Sequence, residues 1–385
     1  MKRKILIITP WYPTPSHPVE GIFIKEQARA LASEHAIYVM ALVLTDWKEI
    51  LSHIRKPGKP VKQDNFVLRL DKFHTLPGMR FFYGLYQQFY SQKLEKAFDE
   101  IISTWGIPDV IHAHIVLPAG AAALRVGKKH NIPVVLTEHT GPFSLHLRTK
   151  VCRQLTSQTL LGMDQVIAVS PALRGQITDF EPHVKVKTIG NVIDDNFFAP
   201  TSFAGESESV FRFLTIAILT EIKGIKYLLE AMRILSKETN QRFELVIGGD
   251  GPERKTLEQQ VKNTGMMSYC KFTGALDRPQ VRNWINQSDV FILPSLSETF
   301  GVVLLEAMMC GKPVISTRCG GPEDLVTPET GVLVDIADSN ALARAMSDFI
   351  KNKHKFNAQD IRDNALERYG QTAFLHKIAQ LYDDL

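Results

Sequence analysis

The sequence predicts an α/β protein made of two doubly wound, Rossmann-like domains facing a cleft. Short β-branched runs alternate with longer helical patterns along all 385 residues. Those runs are almost continuously hydrophobic, the mark of parallel strands covered by helices on both faces. A Ser-, Gly- and Pro-containing stretch without helical periodicity, D-N-F-F-A-P-T-S-F-A-G-E-S-E-S (195–209), interrupts the pattern near the middle. Net charge changes sign across it. Residues 1–200 carry 24 Lys and Arg against 17 Asp and Glu, whereas residues 201–385 carry 21 against 24.

In the first half the strands are read at 4–9, 37–43, 109–114, 133–138, 165–170 and 186–190. In the second half they fall at 211–217, 243–248, 270–274, 289–294, 313–317 and 330–335. Six strands per half give two domains, 1–200 and 201–365, followed by a C-terminal segment, 366–385. Its Q-T-A-F-L-H-K-I-A-Q-L-Y-D-D-L has apolar residues at helical spacing and should pack on one of the domains. Ligands of open α/β sheets sit beyond the carboxyl ends of the strands.

A hydrophobic content of 44% supports real cores. No run of eighteen apolar residues is present, so no membrane span is expected. The start M-K-R-K-I-L-I-I-T-P-W reads as a buried strand, since its apolar run is short and no small-residue cleavage site follows. Cys152, Cys270, Cys310 and Cys319 form no C-x-x-C pair, which suits a reduced cytoplasm and excludes a zinc ribbon. The basic front half suggests an anionic partner; the alternative is ordinary solvated charge. Basic residues are not clustered with aromatics along one element, so a nucleic-acid partner is not expected.

The chemistry concentrates in S-E-T-F-G-V-V-L-L-E-A-M-M-C-G-K-P-V-I-S-T (297–317). Glu298 and Glu306 are eight residues apart, roughly 80° around a helix if both were helical. One should therefore stand outside the helix, at its mouth. A helix beginning near Thr299–Gly301 leaves the N–H groups of Thr299, Phe300 and Gly301 available at a positive helix end, suited to a diphosphate. Glu298 would then reach a polar group carried by the phosphate, and Glu306 a ribose diol. The plainer reading makes Glu298 a first-turn acid and Glu306 a surface residue.

This stretch resembles, almost position by position, the E-x7-E motif of the family 4 glycosyltransferases, retaining enzymes of the GT-B fold. The resemblance is strong over 211–335 and looser before. It implies that Glu298 contacts the donor sugar, that Thr299–Gly301 hold the diphosphate and that Glu306 binds the ribose. It implies that Lys223, in T-E-I-K-G-I-K-Y-L-L-E-A (220–231), neutralises the diphosphate. It also implies that Gly249, Gly251, Gly274 and Leu276 line the nucleotide pocket and that C-G-G-P-E-D (319–324) lies near the donor. Gly21 resembles the acceptor and phosphate loop, with one glycine where the family usually has two. His139, in L-T-E-H-T, resembles the active-site histidine that touches the donor sugar, and Asn191 a hinge-side asparagine. The C-terminal helix is expected to pack back across. The family's arginine near Ile218 is missing, and Arg254 and Arg318 are the candidate replacements.

Read by themselves, G-G-D-G-P-E-R (248–254) is an incomplete dinucleotide fingerprint, and Lys223 is either a phosphate contact or a solvated lysine in a βα turn. His112 and His114 share a strand face. A metal site with His139 has no supporting carboxylate–histidine spacing, so no metal and no cofactor are expected beyond the nucleotide-diphosphate sugar. The expected function is retaining transfer of a sugar to a hydroxyl of a glycan or lipid-linked acceptor, in cell-surface polysaccharide biosynthesis. The alternatives are a non-catalytic nucleotide-sugar binder or another GT-B enzyme, an epimerase or a phosphorylase. The aromatic stretch M-R-F-F-Y-G-L-Y-Q-Q-F-Y (79–90) suggests peripheral association with the cytoplasmic membrane face, or else a buried aromatic helix.

Overall fold

The computed structural model describes residues 2–15, 17–46, 58–75, 82–201, 210–352 and 355–385. The chain divides into two compact units, Met1–Val192 with Phe374–Leu385, and Ile193–Ala373.

The first unit contains β1 (Lys4–Thr9), α1 (Ile22–Leu31), β2 (Ala36–Asp46), β3 (Val61–Gln63), β4 (Phe66–Thr75), α2 (Tyr83–Trp105), β5 (Val110–His114), α3 (Ala121–His130), β6 (Val134–Glu138), α4 (Lys150–Gly162), β7 (Gln165–Ala168), α5 (Pro171–Phe180) and β8 (Val186–Thr188). Among the described residues its sheet runs β3-β4-β2-β1-β5-β6-β7-β8, with only the β3–β4 pair antiparallel. The fully buried Ile5, Ile7, Val39 and Val135 build its core, as strands covered on both faces require.

The second unit contains β9 (Phe211–Ile216), α6 (Ile225–Glu238), β10 (Phe243–Gly248), α7 (Arg254–Asn263), β11 (Cys270–Gly274), α8 (Arg278–Gln287), β12 (Val290–Leu293), α9 (Val302–Met309), β13 (Val314–Thr317), α10 (Pro322–Leu325), β14 (Gly331–Val334), α11 (Ser339–Lys351) and α12 (Ala358–Tyr369). Its all-parallel sheet runs β11-β10-β9-β12-β13-β14. The chain winds outward through β10 and β11, returns to β12 beside β9 and winds the other way. That reversal is the topological switch point of a doubly wound sheet.

The twelve expected strands are present, but the first sheet has eight strands, because β3 and β4 escaped the sequence reading. In β4, Arg69 and Asp71 occupy buried positions and pair at 3.2 Å, with Arg69 also donating to Glu100 at 2.8 Å. Buried charges in mutual contact break the hydrophobic signature by which the other strands were read.

The stretch 195–209 is not a linker throughout. Residues 202–209 lie outside the described residues. Residues 195–201 are bound into the second unit. Arg362 donates to the carbonyls of Asp195 and Phe198, each at 2.9 Å, and Asn286 accepts from the Thr201 N–H at 2.9 Å.

The last helix, α13 (Gln371–Asp383), joins the first unit from Phe374 onward. Phe374, Ile378, Leu381 and Tyr382 enter its core, and Tyr382 OH lies 2.6 Å from His112 Nδ1. Arg3 pairs with Asp383 at 2.8 Å and Lys187 with Asp384 at 2.7 Å. Among the described residues no helix is long and apolar enough to cross a membrane.

Candidate functional site

In the second unit the residues singled out from the sequence follow the carboxyl ends of successive strands. Lys223 comes after β9, Gly249 and Gly251 after β10, Gly274 and Leu276 at the end of β11, and Glu298–Gly301 after β12. The Gly249 N–H donates to the Gly274 carbonyl at 2.8 Å, and a Cβ on Gly248 would stand 2.7 Å from Leu276. The two glycine turns and Leu276 are therefore one local group.

Lys223 is placed by a short turn that ends at Gly224, the residue before α6. Gly224 has φ +64°, and a Cβ there would lie 2.0 Å from the Pro294 carbonyl oxygen. Only glycine allows the start of α6 to press against the end of β12. That approach brings Lys223 to Glu298. Lys223 Nζ donates to Glu298 Oε1 at 2.6 Å, and Ser295 Oγ donates to the same oxygen at 2.7 Å. Nothing in the sequence pattern singled out Ser295 for this contact.

Glu298 stands outside the helix, as its spacing from Glu306 requires. The Glu298 N–H donates to the Cys319 carbonyl at 3.1 Å, and its own carbonyl accepts from the Gly321 N–H at 2.8 Å. The helix proper begins at Val302, with Gly301 before it at φ +96°. The N–H groups of Thr299, Phe300 and Gly301 make no hydrogen bond among the described residues. They form a short run of unused donors just before a helix N-terminus.

Phe300 is buried and meets Tyr369 edge-on at 5.5 Å, which anchors the run from behind. The 319–324 loop covers it closely, since a Cβ on Gly321 would stand 2.4 Å from the Phe300 nitrogen. Cys319 is part of the same backbone pairing, and burial pushes its thiol up to about 11, so it is not a thiolate at neutral pH. Glu306 is half-buried on α9.

Of the two arginines considered as replacements near Ile218, Arg254 donates to Asp250 at 3.0 Å and to Glu258 at 2.9 Å. It lies at the nucleotide-turn group, 3.2 Å from where a Gly274 Cβ would be. Arg318 is exposed and lies 3.7 Å from Asp335. Ile218 is 56% exposed.

The first unit holds the other predicted residues. Gly21 is the N-cap of α1 at φ +68°. Phe23, in the first turn of that helix, packs on His139 with ring centres 4.6 Å apart and planes tilted by 35°. His139 follows β6, and its Nε2 lies 2.9 Å from His114 Nδ1. Behind them His112 uses both ring nitrogens, on Tyr382 and on Thr137 Oγ1 at 2.7 Å. The three histidines therefore stack and hydrogen-bond, and they do not converge on a common point. No group of three metal-binding side chains occurs among the described residues. Burial pushes His112 down to about 3, His139 to about 4 and His114 well below the ordinary value, so all three are neutral at neutral pH. Asn191 accepts from Gln27 at 3.1 Å and is buried.

One residue that sequence reasoning passed over holds His139 in place. Glu138 is fully buried. Its Oε1 accepts from the N–H groups of His139 at 2.9 Å and Thr140 at 2.7 Å, and its Oε2 from Val116 at 2.6 Å. Burial pushes this carboxyl up, but the His146 ring 3.6 Å away and the accepted hydrogen bonds prevail and hold it at about 2. The available signal was an acid closing an otherwise apolar strand, V-V-L-T-E (134–138).

Comparison with known proteins adds a family. Residues 21–197 match the model described as Glycosyltransferase Family 4, and residues 202–369 the model described as Glycosyl transferases group 1. The chain is similar to the N-acetyl-alpha-D-glucosaminyl L-malate synthase of Bacillus anthracis, 28% identical over 291 residues, covering 72% of this chain and 75% of that one. It is similar to a putative teichuronic acid biosynthesis glycosyltransferase of Bacillus subtilis, 26% identical over 364 residues, covering 89% and 88% of the two chains. In structure it is similar to Anabaena HepE in complex with UDP-glucose, with a TM-score of 0.73 and 20% identity over the whole of both chains. Two parallel α/β units, each matched by a glycosyltransferase model, identify the chain as a glycosyltransferase of the GT-B fold, belonging to the family 4 and group 1 enzymes.

Proposed function

We propose that the protein transfers a sugar, with retention of anomeric configuration, from a nucleotide-diphosphate sugar to a hydroxyl of a glycan or lipid-linked acceptor. The observation that carries this reading is the unused amide run at Thr299–Gly301 beside the Lys223–Glu298 pair. A departing nucleoside diphosphate gains negative charge in the transition state. Preorganised N–H donors and an ammonium group placed there stabilise that charge more than the ground state, which lowers the barrier. This positive set lets the reaction proceed without a resident metal.

In this reading the diphosphate takes over Lys223, and Glu298 is released to a hydroxyl of the donor sugar. Glu306 accepts from the ribose, while Gly249, Gly251, Gly274 and Leu276 line the base and ribose. Neutral His139 exchanges a hydrogen bond with a sugar hydroxyl, and the loop at Gly21 receives the acceptor. HepE binds UDP-glucose, which favours a uridine nucleotide as the first donor to try. The teichuronic acid relative supports a place in cell-surface polysaccharide biosynthesis. The proposed location is the cytoplasm, at the inner face of the membrane.

The test is calorimetry with UDP-, GDP- and ADP-sugars, followed by product analysis by NMR with a saccharide acceptor. One nucleotide should bind in a manner that Thr299–Gly301 and Lys223 control, and the product should keep the donor's anomeric configuration. No binding by any of the three, or an inverted product, overturns the reading.

A further inference from the structure

Among the described residues, the first unit exposes a group of apolar side chains on one helix. Phe82, at the N-cap of α2, is 69% exposed, and Leu85 and Phe89 on that helix are 54% and 50% exposed. Viewed down the axis, the three lie within roughly 60° of one another. An adjoining face of the same helix, centred roughly 110° further round, buries Tyr86, Tyr90 and Leu94. A helix this apolar on its outer side departs from the usual half-wet pattern. The stretch 79–90 is thus neither simply buried nor simply exposed; residues 79–81 lie outside the described residues.

A second element meets this turn. Gly84 admits α4 alongside, with Val151 Cγ1 3.7 Å from where a Cβ would stand, and Val151 is itself 43% exposed. The N-terminal turns of α2 and α4 thus come together, each contributing the positive end of a helix dipole. Arg148, Lys150 and Arg153 are exposed at the start of α4, and none is ion-paired among the described residues. No acid occurs in the sequence from residue 72 to 94 or from 139 to 163. Aromatic side chains flanked by unpaired cations, with acids excluded from both segments, complement one kind of surface: apolar a few ångströms down and negatively charged on top.

We propose that Phe82, Leu85 and Phe89 insert into the interfacial layer of an anionic phospholipid bilayer, with Arg148, Lys150 and Arg153 on its head groups. The inference deepens the membrane-face location proposed above and rests on that reading for the class of partner. It does not depend on donor chemistry, because vesicle binding is read without donor or acceptor.

The experiment is co-sedimentation of the full chain with vesicles of phosphatidylcholine alone and with added phosphatidylglycerol, at low and high salt. Wild-type protein should bind the anionic vesicles, bind neutral ones far less, and lose affinity as salt rises. The double variant Phe82→Ser/Phe89→Ser should lose on the order of 100-fold in vesicle affinity, since both side chains forfeit apolar burial. The variant Arg148→Gln/Lys150→Gln should lose affinity at low salt and little at high salt. Both should keep wild-type nucleotide binding and unfolding temperature, because the altered side chains are exposed.

Absence of binding to anionic vesicles, equal binding to neutral ones, or an undiminished serine variant would each overturn the proposal. So would a wild-type dimer in sedimentation equilibrium that the serine variant dissolves, since a second copy would then cover the patch. If vesicle binding fails while sugar transfer is observed, only this inference falls. If vesicle binding holds and transfer is absent, the proposed function falls instead.

Discussion

Lys223 and Glu298, 75 positions apart in the chain, meet in a 2.6 Å ion pair. The pair ties the turn after β9 to the segment after β12, across the point where the sheet reverses its winding. Each partner keeps part of its surface accessible.

Replacing Lys223 with Ala removes the ammonium group from the site and leaves the Ser295 hydroxyl as the side-chain donor to the Glu298 carboxylate. The predicted loss in kcat/KM is at least about 100-fold, from lost stabilisation of the leaving diphosphate. Stability should change by less than ~1 kcal/mol, the scale of a partly exposed ion pair. Steady-state kinetics with thermal unfolding separate the two; a variant with wild-type turnover would sink the diphosphate role.

Gly321→Ala probes the amide run from its other side. The new Cβ would meet the Phe300 nitrogen at 2.4 Å and the Thr299 carbonyl carbon at 2.5 Å, and both are backbone atoms, so a segment must shift. We expect a stability loss of ~1–3 kcal/mol and weaker nucleotide binding by calorimetry. Gly175→Ala on α5 is the control, because among the described residues nothing beyond its own helix lies within 4 Å of its Cβ position. It should be neutral or stabilising, by up to ~1 kcal/mol. Equal effects from the two substitutions would contradict this account of the loop.

The pH dependence of stability should have two stages. The folded chain holds His139 at about 4, below its ordinary 6.5, and Glu138 at about 2, below its ordinary 4.5. In both cases the unfolded chain takes up the proton first as pH falls, so acidification favours unfolding. The His139 contribution is complete above pH 6.5 and is lost on the way down to about 4. The Glu138 contribution is complete above 4.5 and is lost on the way down to about 2. Glu138→Gln turns an N–H toward the Val116 N–H or toward those of His139 and Thr140, at a cost of ~1–3 kcal/mol. Urea midpoints across pH should show the lower stage flattened in this variant; an unchanged lower stage would remove Glu138 as its origin.

Ile218→Arg tests the missing arginine. The side chain at 218 is 56% exposed, so a longer one can be accommodated without displacing the core. If position 218 faces the diphosphate, nucleotide binding should tighten severalfold and become more sensitive to salt. Unchanged affinity at low salt would place the second phosphate charge elsewhere.

Much of this protein was legible in the one-dimensional pattern. Twelve strands announced themselves because a parallel strand covered on both faces must be apolar at nearly every position. The 297–317 stretch revealed its turn and helix because glycine, the acid spacing and the apolar run are all local constraints. Where burial was achieved by pairing charges, as in β4 with Arg69 and Asp71, that rule gave no signal. The Ser, Gly and Pro content of 195–209 likewise could not show that Arg362 would gather part of it into the second unit.

Local composition thus determined the fold class, the candidate donor residues and the helix end that carries them. Only the tertiary structure decided that Ser295 would hold Glu298, that Gly321 would lie against Phe300, that Glu138 would fasten His139 and that the last helix would bond His112 through Tyr382. The physical reason is range. A strand or a helix start is set by neighbours a few residues away, whereas a hydrogen bond between distant segments depends on how whole sheets bring their ends together.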